Sequence, residues 1–313
     1  MAKKRLLTGL QPSGDLHIGN YFGALKPFLD IYEGYESFLM VADYHSLTSR
    51  AEPETLREHI FNIVRSYLAV GIDPSNAVIF QQSSVQEHTE LAWILNTLVT
   101  VPFLMQGHAY KDKTTRGAEA NAGLLTYPML QAADILLYDT DVVPVGEDQR
   151  QHIEYTREAA GKFNRTYSET FTEPKEIVLS GVGVVPGTDG GKMSKSYGNT
   201  ILLFGSKDEI AKAVMSIVTD SSGNLPKHVY AIHKLYRSED ELASLYEKHI
   251  GNYKAIKEAL IEDIEAHVVP MREKYKNISD DEVKRVLSEG AEKARAVASA
   301  KIAEVRQKIG VIL

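Results

Sequence analysis

The chain has 313 residues, of which 43% are hydrophobic and 25% charged, with a formal net charge of −7 and no cysteine. Such a balance belongs to a globular chain with room for one large domain and a smaller one, and it excludes disulfides, cysteine-ligated zinc and iron–sulfur clusters. It also excludes a basic nucleic-acid module in either half: residues 1–204 hold 17 Lys and Arg against 24 Asp and Glu, and residues 205–313 hold 18 of each.

The basic opening Met1-Ala-Lys-Lys-Arg5 is followed by an apolar run too short for a signal peptide, and no later run is long enough to span a membrane. A cytoplasmic protein with no membrane or DNA partner is the expectation. Leu6, Leu7 and Leu10 read as a buried first strand, Gln11-Pro-Ser-Gly14 as a tight turn, and Ile18 onward as a helix to about Tyr32, with Pro27 a kink or early stop. A helix N-terminus offers unpaired N–H groups to a phosphate. His17 and Asn20 lie three apart on its first turn, and Gly19 between them leaves room for a flat ring. On these residues alone the turn is equally an ordinary strand-to-helix connection.

Phe38–Ala42 is a buried-type strand, and His45 follows at its carboxyl end, where open α/β sheets bind ligands; a surface loop histidine is the other reading. Pro53 starts a helix whose apolar face runs through Ile60, Ile63, Val64 and Tyr67, and Ala77–Phe80 is a third strand. Alternating strand and helix predicts a Rossmann-like, doubly wound parallel sheet. Residues 87–104 form an apolar helical stretch with Trp93, suited to core packing or to a subunit interface, and 110–117 is a basic polar link carrying Lys111, Lys113 and Arg116.

The apolar helix from Ala122 to Tyr138 holds Tyr127, Gln131 and Asp134 on a common side. An acid between Ala132-Ala133 and Ile135-Leu-Leu137 needs an internal partner or a ligand N–H or O–H. Val142–Gly146 is a short strand. Glu147, Asp148 and Gln149 then open a helix, where Asp148 can accept from ribose hydroxyls or merely favour the helix dipole. Past a Gly- and Pro-rich run at 181–191 comes Lys192-Met-Ser-Lys-Ser196, two lysines in a loop that can close over a bound nucleotide. From 205 onward the pattern is helical, roughly 207–218, 238–249, 253–276 and 280–309, which sets a domain boundary near 203–206.

His17-Ile-Gly-Asn20 near the start and Lys192-Met-Ser-Lys-Ser196 far downstream together resemble the signature pair of the class I aminoacyl-tRNA synthetases. Gln11-Pro-Ser-Gly14 and Pro144-Val-Gly-Glu-Asp-Gln149 make the chain similar to the tryptophanyl-tRNA synthetases within that class. The resemblance implies a catalytic domain at 1–204 with a dimer-forming insertion at about 87–120, and an anticodon-binding helical domain at 205–313. It implies formation of an aminoacyl-adenylate from L-tryptophan and ATP, with Mg²⁺ carried on the ATP, then transfer to tRNA(Trp), by a homodimer.

Carried over position by position, ATP contacts fall on Gln11, Pro12, Ser13, Gly19, Asn20, Gly146, Glu147, Asp148, Val184, Lys192, Met193, Ser194, Lys195 and Ser196. Lys113 joins Lys192 and Lys195 on pyrophosphate, and His17 and Asn20 serve the phosphates. Asp134 accepts from the indole N–H, Tyr127 and Gln149 hold the α-amino group, and His45 and Gln131 line the pocket. Two departures stand out. Gln131 and Leu7 occupy positions where some relatives place Met and Phe, and Tyr197-Gly-Asn199 replaces an acidic, proline-containing continuation. Rival readings are a tyrosyl-tRNA synthetase, a small-molecule nucleotidylyltransferase and a regulatory protein on an inactive synthetase scaffold. The last two leave the lysine loop or the intact signature residues without a use.

Overall fold

The computed structural model describes residues 3–49, 52–115, 120–145, 150–178, 185–219 and 225–312. Five strands, β1 (Arg5–Leu10), β2 (Glu36–Val41), β3 (Ala77–Gln81), β4 (Val142–Val145) and β5 (Lys175–Val178), make one parallel sheet in the order β3-β2-β1-β4-β5. Chain order reverses between β1 and β4, so the crevice for a ligand opens at their carboxyl ends. Both faces of the sheet are covered, which is why β2 is buried from Ser37 to Val41. β5, Lys175-Glu-Ile-Val178, is only four residues long and half charged, so it carries no apolar strand pattern in the sequence.

Strand alternation feeds two cores. Leu6, Leu39, Val41 and Ile79 point into one, and Leu7, Phe38, Met40 and Phe80 into the other. Over the first lies a helical segment made of α1 (Ile18–Asn20), a π-helical turn (Tyr21–Leu25) and α2 (Lys26–Leu29), continuous through Pro27. The short α3 (Asp43–Ser46) follows β2, and α4 (Pro53–Ala69) follows it with Ile60, Ile63, Val64 and Tyr67 buried as the pattern predicts.

The second core is covered by α5 (Glu87–Asn96), α8 (Ala122–Leu136) and α9 (Arg150–Thr166). Two expectations change here. The apolar stretch 87–104 is not one helix: it breaks after Asn96 and resumes as α6 (Val101–Leu104), with Thr100 extended and Pro102 in the new first turn, where its missing N–H costs nothing. The basic link is helical over α7 (His108–Thr115).

Beyond residue 205 come α10 (Lys207–Met215), α11 (Lys227–His233), α12 (Glu239–Lys248), α13 (Tyr253–Asn277) and α14 (Asp280–Lys308). Ser206 with Glu209 and Ser238 with Glu241 form capping boxes that start α10 and α12. The composition shift near 205 does not separate the last helix from the sheet. Along α14, Val283, Val286 and Leu287 join the first core, while Ala294, Ala298, Ile302 and Val305 join the second. It crosses β3 between them, and Gly290 lies so close that a Cβ there would overlap the Ile79 carbonyl oxygen. The helix thereby shields the open edge of the sheet. No helix among the described residues is long and apolar enough to cross a membrane.

Candidate active site

β1 ends at Leu10, and the chain turns through Gly14, whose φ of +113° suits glycine. His17 is the N-cap of α1. Its Nδ1 accepts from the Asn20 backbone N–H at 3.3 Å, while the His17 N–H donates to Asn20 Oδ1 at 3.1 Å. That reciprocal cap fixes the tautomer, because an accepting Nδ1 leaves the ring proton on Nε2. Burial first, and the nearby Lys195 ammonium second, push His17 down to about 4, so the ring is neutral near pH 7. A neutral Nε2–H donor at a helix N-terminus is matched to a phosphate oxygen. Gly19 has no room for a side chain: a Cβ would stand 2.9 Å from His17 Nδ1 and 3.3 Å from Met193 Cβ.

Met193 belongs to the lysine loop, and its approach joins the two distant segments. Past the loop, residues 201–203 run antiparallel to the first turn, with Ile18 N–H donating to Ile201 O at 3.0 Å and Leu203 N–H to Leu16 O at 2.9 Å. Lys195 Nζ donates to Gly14 O at 2.8 Å. Burial lowers the Lys195 pKa, and the Asp15 carboxylate opposes it. Met193 is buried, whereas Lys192 and Ser196 are exposed. A positive, partly desolvated loop thus lies directly over the phosphate-type turn.

A second cluster lies at the carboxyl ends of β2 and β3. Asp134 on α8 is 1% exposed, and its carboxylate is fully engaged. Oδ2 receives His45 Nε2 at 2.9 Å, Oδ1 receives His88 Nδ1 at 2.6 Å, and Gln82 Nε2 reaches both oxygens at 2.8 and 2.9 Å. Burial works to raise the Asp134 pKa, but the hydrogen bonds from His45 and His88 prevail and hold it at about 2. Both histidines therefore present N–H to an ionised acid, and His88 Nε2 accepts from the Tyr138 hydroxyl at 2.9 Å.

His45 separates Asp134 from a cavity of about 520 Å³ walled by Tyr44, Thr48, Asn96, Asn121, Tyr127 and Leu130, with Leu47 and Trp93 at its rim. Tyr127 sets its ring edge-on to His45 and lies 3.4 Å from His152 Nε2; burial first, and Tyr155 second, push its hydroxyl up to about 12. Gln131 is half-buried one turn from Asp134.

The structure thus brings His17, Gly19, Asn20, Met193 and Lys195 together, and separately His45, Tyr127 and Asp134. Gln11 and Ser13 are exposed, and Pro12 is buried in the same turn. Gly146, Glu147, Asp148, Gln149, Val184 and Arg116 lie outside the described residues, as does the Lys113 side chain on α7. Sequence reasoning missed Gln82 and His88. The rule that singled out His45, a polar residue just past a strand's carboxyl end, applies equally to Gln82 after β3. His88 shares a helix face with Leu91 and Leu95, the pattern of a core position.

Residues 2–302 match the family model described as tRNA synthetases class I (W and Y). A tryptophan–tRNA ligase of Fusobacterium nucleatum is 49% identical over 99% of this chain and 98% of its own length, and one of Rhodopirellula baltica is 44% identical over 98% and 99%. A crystal structure of the tryptophanyl-tRNA synthetase of Campylobacter jejuni, complexed with ADP and tryptophan, superposes with a TM-score of 0.91 at 42% identity, covering 98% of this chain and 99% of that one. By its first turn, its lysine loop and this full-length likeness, the chain belongs to the class I tRNA synthetases of the tryptophan and tyrosine group.

Proposed function

We propose that this protein is a tryptophan–tRNA ligase that activates L-tryptophan with ATP and passes it to the 3′ end of tRNA(Trp). The observation that carries the reading is the meeting of Lys195 with the turn that His17 and Asn20 cap, together with a cavity backed by a buried acid. A tryptophan carboxylate oxygen attacks the α-phosphorus, the bond from that phosphorus to the bridging oxygen breaks, and pyrophosphate leaves. The carboxylate is already ionised, so no general base takes part, and catalysis rests on positioning and charge. A hydroxyl of the terminal ribose then attacks the acyl carbon and AMP leaves.

His17 donates from Nε2 to the phosphates, Asn20 from its side-chain amide, and Lys192, Lys195 and Lys113 neutralise the departing pyrophosphate. Gln11, Pro12, Ser13, Gly19, Gly146, Glu147, Asp148, Val184, Met193, Ser194 and Ser196 surround the rest of the nucleotide. Mg²⁺ would come with the triphosphate and would offset its charge beside Lys192 and Lys195. Among the described residues no group of three His, Cys, Asp or Glu side chains could hold a metal ion.

Tryptophan occupies the cavity, with its indole toward His45, Gln131 and Asp134 and its α-amino group toward Tyr127 and Gln149. An ionised carboxylate accepts about four hydrogen bonds, and Asp134 already has four contacts. An indole N–H must therefore displace a donor, and His45 is the one that faces the cavity. Two copies associate through the apolar surface of the insertion, and residues 205–313 meet the anticodon of the tRNA, in the cytoplasm.

ATP–pyrophosphate exchange run with tryptophan and with tyrosine side by side tests the assignment. Tryptophan-dependent exchange with little or none from tyrosine is expected. The reverse preference, or no exchange with either, would overturn it.

A further inference from the structure

Asn199 follows the lysine loop and is 2% exposed. Its side chain is spent on the loop itself. Oδ1 accepts from the Ser194 N–H at 2.7 Å, and Nδ2 donates to Lys192 O at 3.1 Å and to Asp189 Oδ1 at 2.7 Å. Its backbone carbonyl accepts from the Thr188 N–H at 3.0 Å. The segment before it is a hairpin, closed by Gly187 N–H to Gly191 O at 2.7 Å and by Met193 N–H to Val185 O at 3.0 Å. Asn199 packs under that hairpin so tightly that a Cβ on Gly187 would overlap its amide.

From this arrangement we infer that Asn199 is a positioning residue for adenylation: its buried amide fixes the backbone on both sides of Met193 and so sets where Lys192 and Lys195 present their ammonium groups. The inference rests on the function proposed above. It follows from which atoms are held. Lys192 O and Ser194 N flank Met193, whose Cβ packs against the backbone of Gly19 on the phosphate-type turn. Ser194 then leads directly into the turn of 3₁₀ helix, Lys195–Tyr197, that carries the second lysine to Gly14 O. A loop held only by its own hairpin bonds would leave the peptide between Met193 and Ser194 free to rotate. One amide with two donors and an acceptor removes that freedom without touching the substrate. Asp189 completes the post, accepting from both Asn199 Nδ2 and the Gly191 N–H at 2.9 Å.

Exchanging the two polar partners tests the inference. Asn199→Asp keeps an acceptor for Ser194 but loses both donors and sets two carboxylates together. Adding Asp189→Asn restores one amide–carboxylate pair in the opposite sense. With the full-length protein, the quantities to measure are kcat and KM for tryptophan in ATP–pyrophosphate exchange, together with the melting temperature. Asn199→Asp should lower kcat at least tenfold with the KM for tryptophan within twofold, in a protein whose melting temperature falls but stays above the assay temperature. The double variant should recover at least fivefold over the single one. Parental kcat in Asn199→Asp, a loss explained by unfolding, or a double variant no faster than the single would each overturn the assignment. Should the parent exchange with tyrosine instead, the substrate reading fails, and the same ratios measured with tyrosine still decide the role of Asn199.

Discussion

Lys195 reaches back across 181 residues of sequence to place its ammonium 2.8 Å from the carbonyl oxygen of Gly14. That contact sits just before the turn capped by His17 and Asn20, so one charge from the lysine loop is held where, in the function proposed above, the phosphates bind. An interaction that strengthens as charge develops on the leaving group acts on kcat more than on ground-state affinity. Lys195→Ala is therefore expected to slow adenylate formation by about 10²–10³-fold with a smaller change in ATP binding. Single-turnover adenylation beside equilibrium ATP binding separates the two, and an unchanged rate would take the loop out of the mechanism.

The low pKa of His17 has a sign that can be checked. In the folded chain it titrates near 4, against 6.5 for an unperturbed histidine. Above pH 6.5 both folded and unfolded states carry it neutral. As pH falls from 6.5 to 4 the unfolded chain takes up a proton that the folded one refuses, so stability declines through that window and levels off below it. The difference in denaturation free energy between parent and His17→Asn should be flat above pH 6.5 and shift against the parent between 6.5 and 4. The rate of adenylation should show no limb assignable to His17 between pH 5 and 8. A protonation step near pH 6.5, seen by NMR on its ring nitrogens, would contradict this.

Asp134 acts in the same direction but in a lower pH window. Its folded pKa of about 2 lies below the ordinary 3.8, so its contribution to stability is complete above pH 4 and disappears as pH falls from about 4 to about 2. Removing the carboxylate altogether strands His88, which is fully buried, together with Gln82. Asp134→Ala should accordingly cost about 1–3 kcal/mol for each buried donor left unpaired. Chemical denaturation measures that loss, and a cost under 1 kcal/mol would mean the cluster is not coupled as its distances indicate. Tryptophan binding to the parent, followed by ¹⁵N shifts of the imidazoles, should move His45 and leave His88 in place.

Much of this was legible in the residues. Four strands and the helices at 53–69, 122–136 and 280–308 follow from patterns that local chemistry imposes, whereas the pairing of the first turn with the lysine loop comes from the resemblance to the class I signature pair. Harder to read was anything decided by tertiary neighbours. Asp134 invited two readings, an internal partner or a ligand, and the donors His45, Gln82 and His88 come from three separate segments whose convergence no spacing rule encodes. The helix α7 was masked by its polarity: Lys111-Asp-Lys113 shows no apolar face, and a short polar helix looks like a loop. The boundary at 205 follows composition, yet α14 returns to the sheet because its small residues fit a strand edge.

Trp93, the chain's single tryptophan, is 71% exposed on α5, with Val101, Met105 and Leu47 also exposed nearby in sequence or at the same cavity rim. Contiguous exposed apolar surface can mark an association site, and Trp93 and Leu47 share one cavity rim. Trp93→Glu should therefore shift the protein toward monomer in sedimentation equilibrium at micromolar concentration. Because Trp93 and Leu47 also rim the cavity, the KM for tryptophan should rise with dissociation. A parent that sediments as a monomer would remove the basis for both expectations.

Gly290 sets two physical effects against each other. Glycine within a helix costs roughly 1 kcal/mol relative to alanine, so propensity alone makes Gly290→Ala stabilising. Packing points the other way, because the added methyl meets the Ile79 carbonyl and carbon, which are backbone atoms in a paired strand. A side chain could rotate aside, but a strand cannot do so without disturbing its ladder to β2. Overpacking of this kind costs about 1–3 kcal/mol and more where backbone must shift, enough to outweigh the propensity gain. The melting temperature of Gly290→Ala should fall by several degrees, whereas Ala at the exposed neighbour Glu289 should leave it nearly unchanged. A rise in the first variant would mean that α14 does not lie against the sheet edge as closely as the Gly290–Ile79 approach indicates.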